Sequence, residues 1–429
     1  MATITKRGET YRIVVSMGRD CTGKQIRESV TYKPTATTPA RIEKEVKKFA
    51  DEFERRVKDG KRLTGDKMTF FDFAGKWHTD YADENLSVAV LEGYDSILKR
   101  NVFPTIGHMK MTDITPLHIQ GIYKEMRKRG NKASTIKRTH AVISGIFTWA
   151  YKWGVVESNP CERVTLPKDK ETQEDEIHCF TPEQARRFLE ALTMEYPVSY
   201  KEHTRIDDTG EPYIVPAYTA MHSIPYQFQV YFTMSIYTGC RRQELTALQW
   251  KDIDFDECTL TISKAFSKVK GGQILKTPKT RAGYRTLSIP SVCVKMLRQL
   301  RKEQMELMFS LGTAWEGQRG AEFDDNFVFI QTDTGRAMSL DTPTHKFKEI
   351  LGYYNANCAE GEELPVIRLH DLRHTSATLL IAQNTDVVTV SKRLGHSRSS
   401  VTLNIYSHAL KTKDAEASDK LEGLLQAEA

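Results

Sequence analysis

From Met68 to Leu166 apolar residues return every three or four positions through four successive segments, a periodicity that only helices satisfy. The segments are TFFDFAGKWHTDYA, SVAVLEGYDSILKRNVFPTIG, TPLHIQGIYKEMRKRG and ASTIKRTHAVISGIFTWAYKWGVV. Thr115-Pro116 and Ser134 suit helix starts, and Gly107, Gly130 and Gly154 stand where helices should stop. Amphipathic helices this closely spaced bury their apolar stripes against one another, so residues 64–168 are expected to form an all-α bundle.

The flanking sequence follows different rules. Tyr11, Ile13 and Val15 alternate with neighbours in TYRIVVSM, Ile26, Val30 and Tyr32 do so in QIRESVTY, and GRDCTGK between them supplies turn residues. A charged helix should follow Pro39 and run to about residue 59. Residues 1–63 therefore predict a small separate module, a three-stranded sheet plus helix. Beyond the bundle, PKDKETQEDEIHCF (167–180) reads as a linker, and Thr181-Pro182-Glu183 opens a new helix. Residues 175–429 are expected to form a mainly α domain with a small β-hairpin and an irregular insert at about 196–226, rich in Pro, Tyr and His, to which no role attaches. The whole is a multi-domain, mixed α+β protein.

Charge is unevenly placed along this plan. Residues 1–169 carry +10 against +6 for the whole chain, which leaves −4 for the rest. A basic N-terminal part points to a polyanion, DNA or RNA before a membrane. Arg12 on the predicted hairpin and the clusters Lys128-Arg129, Lys132 and Lys137-Arg138 in the bundle are the candidate DNA contacts, although such clusters also serve as solvated faces. No apolar run is long enough to span a bilayer, and MATITKRGET lacks an apolar leader, so a cytoplasmic protein is the default. The seven cysteines form no CxxC pair, which predicts reduced thiols, several of them buried.

Four stretches in the last domain carry the chemistry. YTGCRRQEL places Arg241 and Arg242 after a glycine and before a helix. The β-rich stretch 260–290 holds a Gly-Gly turn and then Lys276 and Lys279. RLHDLRHTSATLL sets His370 and Arg373 three apart, on one helix face. SKRLGHSRSSVTLNIYSH puts His396 ten residues before Tyr406. The HxxxH of His370 and His374 lacks the glutamate of HExxH and an evident third ligand, so no metal is expected. Two guanidiniums, two imidazoles, a lysine and a phenol suit phosphoryl transfer without metal or cofactor. Arginine forks match the non-bridging oxygens of a pentacoordinate phosphate. A tyrosine with a free pKa of about 10 needs a base and cationic surroundings to attack, and the departing oxygen needs a proton.

These motifs resemble the tyrosine recombinases, in particular the integrases of phages and integrative conjugative elements, and the resemblance extends over essentially the whole chain. It implies an arm-type DNA-binding module at 1–63, a core-binding domain at 64–168 and a catalytic domain at 175–429. TGCRRQEL resembles the first-arginine box and makes Arg241 the catalytic arginine. TPKTRAGYRTLSIP points to Lys279, with Lys276 a close alternative. HDLRHTSAT implies His370 and Arg373, LGH implies His396, and YSH makes Tyr406 the nucleophile. Glu244 and Asp371 are implied only as supporting residues. The resemblance further implies a homotetramer on core-type and arm-type sites of double-stranded DNA, acting at the bacterial nucleoid, with an excisionase or host DNA-bending protein as helpers. The tail after Ala409 would pack either on a neighbouring protomer or in cis. A type IB topoisomerase would share the chemistry but not the basic arm module. A DNA-binding regulator on the same fold would lack catalytic positions, and all six are present here.

Overall fold

In a computed structural model of the chain, residues 2–19, 25–36, 38–58, 67–167, 178–278 and 283–396 are described, with Leu403 and Glu422. The chain divides into two compact units, residues 1–172 and 173–429.

The first unit begins with strands β1 (Thr3–Arg7), β2 (Thr10–Arg19) and β3 (Gln25–Tyr32), an antiparallel sheet in that order. Ile13 and Val15 are buried on the face that meets helix α1 (Pro39–Lys58), whose Val46 and Ala50 are buried in turn. Glu45 of α1 fixes the connection by accepting from the Tyr32 hydroxyl (2.7 Å) and the Thr35 and Ala36 N–H groups (both 3.0 Å). Pairing of Arg12 with Thr5 and Thr31 places all three on the opposite face, and they are exposed. The helices that follow are α2 (Phe70–Trp77), α3 (Asp83–Asn85), α4 (Val88–Ile97), α5 (Phe103–Ile106), α6 (Pro116–Lys128) and α7 (Ala133–Lys152). Single wide turns at His78–Ala82 and Leu98–Val102 carry α2 into α3 and α4 into α5. Phe70, Phe73, Trp77, Tyr123 and Phe147 belong to one buried core. Thr115 caps α6 as expected, whereas α7 starts at Ala133, one residue before Ser134.

The second unit opens with α8 (Pro182–Ala191), capped by Thr181 with Gln184. Phe180, at the end of the expected linker, is packed: it is buried and its N–H donates to Thr375 Oγ1 at 3.0 Å. The stretch 196–226, expected to be irregular, is an ordered β-ribbon. Its strands β4 (Glu195–Tyr200) and β7 (Tyr218–Ser223) pair, and between them β5 (His203–Ile206) pairs with β6 (Pro212–Val215) around a turn tied by Asp207. At its base Tyr196 and His222 lie against Tyr353, with ring centroids 5.9 and 6.1 Å away.

Next come α9 (Tyr226–Thr238), α10 (Arg242–Thr246) and strands β8 (Ile253–Asp254), β9 (Thr259–Ile262), β10 (Ala265–Val269), β11 (Gly272–Lys276) and β12 (Arg285–Ser288). They form a β12-β9-β8 sheet and a β10-β11 hairpin. Helices α11 (Ser291–Leu311), α12 (Thr342–Asn357), α13 (Asp371–Ala382) and α14 (Val387–Leu394) complete the described part. Val230, Tyr231, Phe232 and Met234 are all buried, so α9 is apolar on every side and central to the core. Its C-terminus delivers the chain to Arg241. Mixed α+β architecture, as expected from the sequence, is what the chain adopts.

Candidate active site

The site is built where α9 ends. Gly239 closes the helix with φ +61, and a Cβ there would stand 2.8 Å from Leu394 Cδ2, so glycine fits both the turn and the space. The chain then turns through Cys240, whose N–H donates to Thr238 Oγ1 at 3.2 Å, and Arg241 becomes the N-cap residue of α10. The two adjacent arginines part company here. Arg242 reaches Thr344 Oγ1 (2.7 Å). Arg241 instead takes Glu244, its Nη1 donating to Oε1 at 2.9 Å and its backbone N–H to Oε2 at 2.9 Å.

Arg373, on the first turn of α13, is buried. Its Nη1 donates to the Gly239 carbonyl (2.7 Å) and its Nη2 to the Leu394 carbonyl (2.6 Å). Burial and the nearby Arg241 lower it to about 10, which leaves it charged at neutral pH. His370 precedes α13 as its N-cap residue, with its ring centroid 5.3 Å from that of His374. His396 follows Gly395, the left-handed residue that ends α14. Partial burial, reinforced by His374 and Arg373, holds His370 at about 4 although one side stays open to solvent. Burial, then Arg373 and Arg241, holds His396 at about 4 as well. Both imidazoles are therefore neutral at pH 7 and able to accept or to donate a proton.

Two carboxylates brace the arrangement. Asp371 is buried and takes Arg368 on both oxygens, with contacts from 2.8 to 3.2 Å and the Arg368 N–H at 2.7 Å. Glu244 is buried too. Burial alone would raise its pKa, but hydrogen bonds and charge from Arg285, with help from Arg241, keep it below the ordinary value. Arg285 was not singled out by sequence reasoning. The signal was present, because Arg285 and Leu287 alternate with exposed Thr286 and Ser288 on β12, which turns the arginine inward.

Lys279 and Tyr406 lie outside the described residues. Lys276 ends β11, paired with Ala265. The candidate DNA contacts all belong to the first unit. Arg12 is exposed on β2, and Lys128 and Arg129 are exposed at the end of α6, within 3.8 and 3.6 Å of Glu125. Lys132, Lys137 and Arg138 are exposed at and along the start of α7. Among the described residues no group of three or more His, Cys, Asp or Glu side chains is placed to hold a metal ion. Beside the arginines, a groove of 590 Å³ is bordered by Arg241, Arg242, Lys348, Arg368 and His370 and by Val366, Ile367 and Leu369.

Comparisons with known proteins agree in direction. The profile of the phage integrase family matches residues 214–413, and that of the phage integrase central domain matches residues 70–166. A tyrosine recombinase XerC-like protein of Caldanaerobacter subterraneus is 27% identical over 97% of this chain and 96% of its own length. The ICEBs1 integrase of Bacillus subtilis is 26% identical, over 97% of each. Among solved structures, the Tn1549 transposon integrase in complex with transposon right end DNA superposes with a TM-score of 0.63 at 19% identity, covering 83% of this chain and 100% of that one. A lambda integrase tetramer bound to a Holliday junction gives 0.51 at 15% identity, covering 94% of each.

Proposed function

Since the chain belongs to the phage integrase family of tyrosine recombinases, we propose that it is a site-specific DNA recombinase that integrates and excises a mobile element. Tyr406 attacks the scissile phosphate, forming a 3′-phosphotyrosine and releasing a 5′-hydroxyl. Arg241 and Arg373 hold the non-bridging oxygens, and the neutral ring of His396 donates a further hydrogen bond. His370, neutral at pH 7, takes the phenol proton, and Lys279 gives one to the leaving 5′ oxygen. The phosphotyrosine retains the energy of the broken ester, so rejoining by a second 5′-hydroxyl consumes no cofactor.

The observation that carries this reading is the convergence of Arg241 and Arg373 on neighbouring carbonyls at the end of α14, immediately before His396 and beside His370. The rest of the chain supplies the DNA contacts. The sheet face bearing Thr5, Arg12 and Thr31 (module 1–63) engages an arm-type site, and the basic ends of α6 and α7 (domain 64–168) engage the core-type site through Lys128, Arg129, Lys132, Lys137 and Arg138. Domain 175–429 performs the chemistry. Strand exchange between two duplexes requires four active sites, so the acting form is a homotetramer at the nucleoid, with an excisionase or a host DNA-bending protein setting direction.

The test uses a nicked duplex copied from the junction that flanks the gene. The protein should form an SDS-resistant adduct with it, and Tyr406→Phe should abolish the adduct. Persistence of the adduct in that variant would remove Tyr406 from the role. Plasmid relaxation with no joining between molecules would replace the recombinase reading with a nicking-resealing one.

A further inference from the structure

Three arginines from three different elements end on three consecutive carbonyls. Arg285 Nε donates to the carbonyl of Arg393 at 2.8 Å, Arg373 Nη2 to that of Leu394 at 2.6 Å, and Arg241 Nη2 approaches that of Gly395 at 3.5 Å. These are last-turn carbonyls of α14, which have no partner inside the helix and form the negative end of its dipole. The rack is itself fixed, because the Arg393 side chain donates to the carbonyls of Tyr237 (2.8 Å) and Ser288 (3.1 Å).

Arg285 differs from the other two. Its side chain is 7% exposed and Glu244 is 8% exposed, against 35% for Arg241. While its Nε is spent on Arg393, its Nη1 and Nη2 take the two oxygens of Glu244 at 3.2 and 2.8 Å. The same two oxygens also receive Arg241, Oε1 from its Nη1 and Oε2 from its backbone N–H, both at 2.9 Å. We propose that Arg285 is a positioning residue: it clamps Glu244 to the end of α14, and through Glu244 sets the angle at which the Arg241 guanidinium meets the scissile phosphate. It does not touch the phosphate itself. Without Arg285, only the backbone N–H of Arg241 would tie the Glu244 carboxylate to a fixed group, leaving one oxygen and the Arg241 guanidinium on it to shift together. Lysine cannot substitute, since one ammonium has no planar fork to span a carboxylate and a carbonyl together.

This inference rests on the recombinase reading, and the experiment separates the two. Adduct formation is timed for the parent, Arg285→Lys and Arg285→Gln on two nicked duplexes copied from the flanking junction. One carries an ordinary scissile phosphodiester, the other a methylphosphonate in which a neutral methyl replaces a charged oxygen. Both rates come from one preparation, so any misfolded fraction lowers them alike and cancels in their ratio. A guanidinium displaced by about 1 Å costs on the order of 10²-fold. The expected result is a loss of that size on the phosphodiester, DNA affinity unchanged, and a loss that nearly disappears on the methylphosphonate. Equal losses on both linkages, or parental rates on the phosphodiester, would overturn the positioning role while leaving the recombinase reading intact. A parent that forms no adduct would overturn both.

Discussion

Glu244 is a single carboxylate buried between two guanidiniums, and each of the three groups depends on the other two. Glu244→Gln would strand Arg285 in the interior without its counter-charge. Breaking a buried pair in this way costs about 3–5 kcal/mol, and urea unfolding should register a loss of that order. A loss below about 1 kcal/mol, the worth of an exposed pair, would mean that water reaches the triad. The histidines make a second prediction. With folded values of about 4 against an ordinary value of about 6.5, His370 and His396 bind fewer protons when folded than when unfolded. Their contribution to stability is complete above pH 6.5 and is lost as pH falls from there towards 4. Imidazole NMR titrations should show midpoints near 4, and midpoints near 6.5 would contradict the environment described. Arg241, Arg373, His370 and His396 were readable because each stands in a short motif whose chemistry names its partners. Arg285 was not, because an arginine on a short strand has no such company in sequence and reveals itself only by alternation with Leu287.

At the level of elements, the turn from α9 to α10 carries the tightest constraint. Gly239→Ala places a side chain in left-handed backbone, at roughly 1–2 kcal/mol, and forces it against Leu394. Because the Gly239 carbonyl also holds Arg373, the proposed cleavage rate should fall along with the urea midpoint. A variant of full stability and full activity would show that the turn relaxes without consequence. The β-ribbon behaves in the opposite way. Ile206 and Ile214 are 72% and 65% exposed, so replacing both with Ser should alter unfolding free energy by no more than about 0.5 kcal/mol. A larger loss would reveal packing that their exposure denies. The helices of the first unit were legible because a 3.6-residue period repeats many times in each. The ribbon was not, because β4 and β7 are 17 residues apart in the chain, Pro197 and Pro212 sit within strands, and its apolar residues lie on exposed as well as buried faces.

On the scale of the whole molecule, the two units hold separate cores, one built on Phe70, Tyr123 and Phe147 and the other on α9. Differential scanning calorimetry should therefore resolve two unfolding transitions, and a single transition with equal calorimetric and van't Hoff enthalpies would show that they unfold as one. The charge asymmetry made the first unit's basic character visible from sequence, but no sequence pattern revealed that the end of α14 gathers arginines from α10, β12 and α13. That gathering fixes an order of events during synthesis. Residues 241, 285 and 373 are synthesised before residues 393–395, so the guanidiniums are made first and the carbonyls that collect them last. A chain ending before residue 393 would carry these guanidiniums without the carbonyls that hold them, so the frame of the site is completed only by the last part of the domain to be made.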